Sequence, residues 1–231
     1  MELNNKTAIV TGVSKGIGLA TVEALLAQGM TVIGWGRTAP ANLSHAQFHF
    51  VKCDVGNFAS VEAAMQSTLA IAPAGIDVLV NNAGLGYFRI FDELTIEEMT
   101  EMMQTNVMGV FFVTKVVLPH MKERKLGHIV NIASIAATNG IPEGSVYCAS
   151  KHAVRGFSSS LFKEARPFNV KVTCIYPGSV KTDFFVHYPT VQVNDNFMQA
   201  EDIANGVVYC LKTPANLLPV DLELRPMLLK M

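Results

Sequence analysis

Short β-branched runs alternate along the chain with longer segments in which apolar residues recur every three or four positions. Thr7 to Thr11 precedes a helical period from Ile17 to Gln28, Thr31 to Gly34 stands as a strand, and Phe48 to Cys53 precedes a helical stretch from Phe58 to Ala72. After a run at Ile76 to Val80, the pattern predicts a long helix from about Thr95 to Glu123 and a strand at His128 to Ile132. A helix from about Gly144 to Arg166, a strand at Lys171 to Ile175, a helix near Glu201 to Leu211 and a strand near Val220 to Leu224 follow. Several strand runs are apolar on both alternating faces, as parallel strands covered from both sides must be. Gly29 closes the first helix, and Thr95-Ile96-Glu97-Glu98 reads as a capping box opening the long one. No linker, repeat or shift in composition divides the 231 residues. The expectation is one α/β domain, residues 1–231: a doubly wound parallel sheet with helices on both faces and any catalytic site in the same domain.

Half the residues are hydrophobic and 16% are charged, enough for a sizeable core. A net charge of −1 gives no broad field to attract nucleic acid or anionic lipid, so phosphate binding must be local. The polar start, Met1 to Lys6, lacks the pattern of a secretion signal. The most apolar stretch, Val107 to Leu118, is interrupted by Lys115 and is shorter than the roughly 18 residues of a spanning helix. A soluble cytoplasmic protein is expected. Cys53, Cys148, Cys174 and Cys210 are scattered and read as reduced core thiols, and the histidines show no metal spacing, so no metal is expected.

The first strand runs into Thr11-Gly12-Val13-Ser14-Lys15-Gly16-Ile17-Gly18, where a helix begins. Glycines there let the backbone turn tightly against a pyrophosphate, and the helix N-terminus offers free N–H groups. The position, strand before and helix after, makes this a dinucleotide turn of a Rossmann-like fold rather than a turn alone. About 20 residues further on, where an acid would bind a ribose 2′-hydroxyl, Gly36-Arg37 stands instead. With Lys15 in the turn, two cations and no carboxylate favour a 2′-phosphate, hence NADP(H).

The spacing Gly-x-x-x-Gly-x-Gly resembles that of the short-chain dehydrogenase/reductase family, and the resemblance accumulates along almost the whole chain. Asp54 and Val55 end the third strand, Asn81-Asn82-Ala83-Gly84 ends the fourth, and Asn106 lies inside the long helix. Ser134 follows the fifth strand, Tyr147-x-x-x-Lys151 opens the next helix, and Pro177, Gly178, Val180 and Thr182 follow the sixth strand. In a doubly wound sheet all these positions fall at the carboxyl ends of strands, where ligands bind, or on the helix that follows such an end.

The resemblance implies an NADP-dependent oxidoreductase acting on CH–OH donors, or reducing the corresponding carbonyl. Tyr147 would give a proton to the carbonyl oxygen or take it from the alcohol, and Ser134 would hold that oxygen. Lys151 would lower the tyrosine pKa and bind the nicotinamide ribose, and Asn106 would hold a water leading to solvent. A phenol titrates near 10, and bringing it to neutrality needs roughly 4 kcal/mol of differential stabilisation. The cofactor contacts implied are Gly12, Ser14, Lys15, Gly16, Ile17 and Gly18 in the turn and Arg37, Asp54 and Val55 at the adenosine end. Asn82, Ala83 and Gly84, Tyr147 and Lys151, and Pro177, Gly178, Val180 and Thr182 would complete them.

A 3-oxoacyl-carrier-protein reductase is an alternative, although Leu218 to Pro226 lacks the Gly-rich ending usual there and resembles that of broad-specificity carbonyl reductases and hydroxy-acid dehydrogenases. A redox-silent NADP-binding regulator is another, although such relatives typically lose the tyrosine or lysine. Asp183 to Pro189 is expected to form a lid. Lys122-Glu123-Arg124-Lys125 reads as a helix C-terminus with favourable dipole charges. Within Met99 to Leu118, a stripe of Met103, Val107, Val110, Phe111 and Val117 can face the sheet, while Gly109, Phe112, Val113 and Val116 widen the apolar arc. That arc calls for a partner, and the resemblance implies pairing through this helix and the Tyr147 helix into a homodimer or homotetramer; a small-molecule substrate is expected, with neither nucleic acid nor membrane as partner.

Overall fold

The computed structural model describes residues 1–184 and 194–227. The apolar runs become β1 (Thr7–Thr11), β2 (Thr31–Gly36), β3 (Phe48–Lys52), β4 (Val78–Asn81), β5 (Gly127–Ile132), β6 (Val170–Pro177) and β7 (Asp221–Leu224). They pair in parallel in one sheet, in the order β3-β2-β1-β4-β5-β6-β7. The Rossmann-like fold expected from the alternation is therefore present, with its reversal of strand order between β1 and β4.

Alternate residues of each strand serve opposite layers. Val10, Val32, Val80 and Val130 pack with Val22 and Leu25 of α1 (Gly16–Leu26) and Ile203 and Val207 of α6 (Ala200–Lys212). On the other face, Ile9, Ile33, Leu79 and Ile129 meet Val61 of α2 (Phe58–Ile71), Val113 and Val117 of α4 (Gly109–Arg124) and Leu161 of α5 (Ser145–Ala165). Each fully buried aliphatic side chain contributes about 1.5–3 kcal/mol.

The long helix departs from expectation. It is α3 (Ile96–Met103), opened by the Thr95–Glu98 capping box, then a wide π-helical turn at Gln104–Met108, then α4. The extra residue held by a wide turn slips the helical phase. Consequently Met102 is fully buried, whereas Met103, placed in the stripe by an unbroken 3.6-residue period, is 38% exposed. The run Ile96–Arg124, 29 residues long, contains an apolar window of the kind a membrane span also shows, more than Val107 to Leu118 suggests; here part of it lies against the sheet.

The apolar arc is also answered within the chain. A Cβ on Gly109 would stand 2.9 Å from Val55, Val113 is buried, and the Phe112 ring lies 5.2 Å from that of Phe58 on α2. Gly109 therefore accommodates its own β3–α2 connection rather than a second helix. Phe112 and Val116 remain half-buried.

At the N-terminal ends of the strands, Asp77 accepts from the Thr7 N–H (2.9 Å) and from Arg124 (2.9 Å), whose Nη1 also donates to the Ile76 carbonyl (2.8 Å). Arg124 is thus a cross-tie more than a dipole charge, and Lys125, in the left-handed region at φ +51°, ends α4.

Candidate active site

β1 runs into Gly12 and Gly16, whose φ angles of +72° and +59° turn the chain across the strand ends. A Cβ on Gly12 would lie 2.8 Å from Ala83 Cα, and one on Gly18 would lie 2.1 Å from the Gly12 carbonyl oxygen. Neither position admits a side chain. Thr11 ties this turn to the next strand end: its Oγ1 accepts from the N–H groups of Asn82 and Ala83, both at 3.0 Å. Asn82 Nδ2 in turn donates to the carbonyls of Thr11 (2.9 Å) and Gly12 (3.1 Å).

α1 begins after Lys15, whose side chain makes no capping bond, and its first turn contains no acid. A helix N-terminus normally recruits a side-chain oxygen. Here the first N–H groups have no side-chain acceptor, and the glycine cradle leaves room for a bulky phosphate, so the residues fit a dinucleotide.

The turn lies in a cavity of about 580 Å³ at the carboxyl ends of the strands. Gly12, Ser14, Lys15, Gly16, Ile17 and Gly18 line it, as do Arg37, Asp54, Val55, Asn82, Ala83 and Gly84. Ser134, Tyr147, Lys151, Pro177, Gly178, Val180 and Thr182 close it from the β5 and β6 side. Asp183 and Phe184 of the expected lid also line it, and residues 185–189 lie outside the described residues. Sequence reasoning passed over Trp35, Phe88, Thr105, Ile141 and Ser179, which have no motif of their own.

α5 presents Tyr147 and Lys151, one helical turn apart, on its buried face. Burial pushes the Tyr147 phenol up to about 12, and the neighbouring Ser134 hydroxyl acts in the opposite direction. Ser134 Oγ also accepts from the Ala136 N–H at 3.1 Å, which fixes the hydroxyl at the end of β5. Lys151 Nζ donates to the Ile132 carbonyl (3.2 Å) and stands 5.7 Å from the Tyr147 ring centre. Burial draws the ammonium down to about 8. At neutral pH the phenol keeps its proton and the lysine is still mostly charged.

Three expected contacts are engaged elsewhere in the protein. Lys15 pairs with Asp183 at 3.0 Å, both largely exposed, and Arg37 with Glu101 of α3 at 3.7 Å. Glu101 also accepts from the Tyr87 hydroxyl at 2.7 Å, a long-range partnership with no sequence motif. Asn106 is not among the lining residues: it sits 1% exposed in the π-helical turn, where Nδ2 donates to the Leu85 carbonyl (2.8 Å) and Ser150 Oγ (3.1 Å). Its Oδ1 accepts from the Leu85 N–H at 2.9 Å. These bonds pin Asn106 to the turn beside Gly84. Among the described residues, no group of His, Cys, Asp or Glu forms a metal site.

A glycine-cradled helix N-terminus and a buried Tyr147–Lys151 pair beside Ser134, in one crevice of a parallel sheet, define a dinucleotide-dependent oxidoreductase fold. The family model described as short chain dehydrogenase matches residues 6–190, and the chain belongs to that family. It is 36% identical over 204 residues to a 3-ketodihydrosphingosine reductase of Bacteroides thetaiotaomicron, covering 88% of this chain and 74% of that one. A 3-oxoacyl-[acyl-carrier-protein] reductase of Chlamydia trachomatis is 36% identical over 203 residues, covering 84% and 79%. The alcohol dehydrogenase of the archaeon Thermococcus sibiricus, solved with 5-hydroxy-NADP, superposes with a TM-score of 0.88 at 29% identity over 99% of both chains.

Proposed function

We propose that this chain is an NADP(H)-dependent oxidoreductase that interconverts a carbonyl and an alcohol, with Tyr147 as the proton donor or acceptor. The observation that carries the reading is that Tyr147, Ser134 and Lys151 line one cavity with the glycine turn. When bound, the nicotinamide supplies the hydride chemistry. The turn from Gly12 to Gly18 takes the pyrophosphate on the α1 N-terminus, and Lys151 takes the nicotinamide ribose. Ser134 holds the substrate oxygen within reach of the Tyr147 hydroxyl, and the protonated phenol is the form that carbonyl reduction consumes.

The absence of an acid at Gly36-Arg37 supports NADP(H) over NAD(H), with Arg37 and Lys15 exchanging Glu101 and Asp183 for the 2′-phosphate. Purified protein should oxidise NADPH in preference to NADH when offered a panel of ketones and aldehydes. Equal affinity for the two, or unchanged NADPH affinity in Arg37→Ala, overturns the cofactor assignment. The similarity to the Chlamydia reductase favours a second reading, reduction of a 3-oxoacyl thioester, tested by including such a thioester in the panel.

The four buried free cysteines are consistent with a reducing, cytoplasmic setting. The half-buried Phe112 and Val116 support self-association through α4; light scattering should report a dimer or larger, weakened by Phe112→Glu, and a monomer refutes it.

A further inference from the structure

The lining of the cavity changes character on passing Tyr147. Its charged members are Lys15, Arg37, Asp54, Lys151 and Asp183. Lys15 and Asp183 neutralise each other, Arg37 meets Glu101, and Asp54 accepts from the Gly56 N–H. Lys15, Arg37 and Asp54 belong to the glycine turn or its surroundings, and Asp183, next to Phe184 in the chain, is paired with Lys15. Lys151 is committed to the Ile132 carbonyl beside the tyrosine.

Around the phenol itself stands a separate apolar cluster. The Phe88 and Phe184 ring centres lie 5.2 and 5.5 Å from that of Tyr147, and 5.9 Å from each other. Leu85, Ala136 and Ile141 belong to the same cluster and also line the cavity. No Lys, Arg, Asp or Glu occurs among these five residues.

A carboxylate or phosphate entering such a wall would lose its water without gaining a charged partner. We infer that the substrate is uncharged where it meets the protein: a ketone or aldehyde, or the matching alcohol, whose carbonyl is flanked by alkyl or aryl groups. Oxo acids and sugar phosphates are excluded by the same wall. The inference rests on the carbonyl–alcohol reading above and names its substrate class. The reaction needs no further reactant: the carbonyl carbon gains a hydride from NADPH and its oxygen a proton from Tyr147, giving the alcohol and NADP+.

The test uses matched pairs: acetophenone against its para-carboxylate, and benzylacetone against the oxo acid that carries a carboxylate in place of the methyl group. The neutral member of each pair should lead in kcat/KM by on the order of 100-fold. Equal or better use of the carboxylates overturns the inference. Binding of the same compounds to protein saturated with NADP+, followed by calorimetry, separates the two readings. Preferential binding of the neutral member without turnover sinks the redox reading and keeps the apolar site; absence of that preference sinks the site.

Phe88→Arg should narrow the gap at least tenfold by giving the carboxylate a partner. Because Phe88 is buried, the half-buried Ile141 supplies a companion variant, Ile141→Arg, with the same expectation. An unchanged preference in both folded variants counts against the inference.

Discussion

At the N-terminal ends of the strands, polar groups bind mostly to one another, although the buried His128 Nδ1 has no hydrogen-bond partner among the described residues. Asp77 gathers the Thr7 amide and Arg124, with Lys6 at 3.9 Å, and His128 Nε2 lies 2.8 Å from a Thr173 hydroxyl that itself donates to the Pro219 carbonyl. At the carboxyl ends the same kinds of group line a cavity: a helix start without a cap, a tyrosine, a serine and a lysine whose charge burial weakens. Both ends sit on the same seven strands. The difference teaches that burial of a polar residue here has two meanings, told apart by whether its partners belong to the chain. Changes at the lower end should cost stability and spare chemistry, and changes at the upper end the reverse.

The strongest challenge to that division is Tyr147→Phe, which keeps the ring and removes the transferable proton. Turnover should fall on the order of 10²–10⁴-fold, or about 3–5 kcal/mol, with the melting temperature and NADPH affinity nearly unchanged. Substantial residual turnover would show that another group supplies the proton. At the opposite end, Asp77→Ala strips the Thr7 amide and Arg124 of their shared acceptor. Urea denaturation should register a loss of about 3 kcal/mol while kcat holds. A fall in kcat without a fall in stability would reverse the assignment of the two ends.

His128 sharpens the comparison through pH. Burial pulls its pKa from 6.5 down to about 3. The unfolded chain therefore takes up a proton first as pH falls, so stability complete above about pH 6.5 erodes between 6.5 and 3. The slope attributable to this one group approaches about 1.4 kcal/mol per pH unit, or roughly 2 kcal/mol by pH 5. His128→Gln should remove that part of the acid sensitivity, as denaturation at pH 7 and pH 5 would reveal; identical losses in both proteins would acquit the histidine. The smallest effect is expected at Glu101, where an exposed ion pair is weak. Glu101→Gln should free Arg37 and raise NADPH affinity about threefold by titration, with no gain for NADH. A loss of NADPH affinity would mean that Glu101 orients Arg37 rather than competing for it.

Much of the upper end was legible because its residues lie where a strand stops, and strands announce themselves by alternation. Gly12, Asn82, Ser134 and Pro177 could each be put at the mouth of the crevice before any coordinate was known. The wide turn at Gln104–Met108 was not, since one surplus residue leaves the local composition unchanged and only shifts the phase, exchanging Met102 for Met103 in the core. Strand ends were blurred for a similar reason: β2 extends through Trp35 and Gly36 because β3 pairs with them, a fact outside the strand's own sequence. Arg37 with Glu101, and Arg124 with Asp77, are joined by folding across long separations, and no spacing rule reaches them. Asn106 was found as a site residue, yet its hydrogen-bonding to Leu85 and Ser150 depends on how the turn carries it.

The uncapped start of α1 makes the protein's resistance to heat a reading of its chemical surroundings. A first helical turn with no side-chain acceptor frays more readily than a capped one, by about 1 kcal/mol. Any anion that docks there only in the folded state shifts the unfolding equilibrium, by about 2.7 kcal/mol once its free concentration reaches a hundred times its dissociation constant. Lifetime against thermal unfolding and proteolysis should therefore follow the supply of dinucleotide, so that starvation for the nucleotide would remove protein as well as activity.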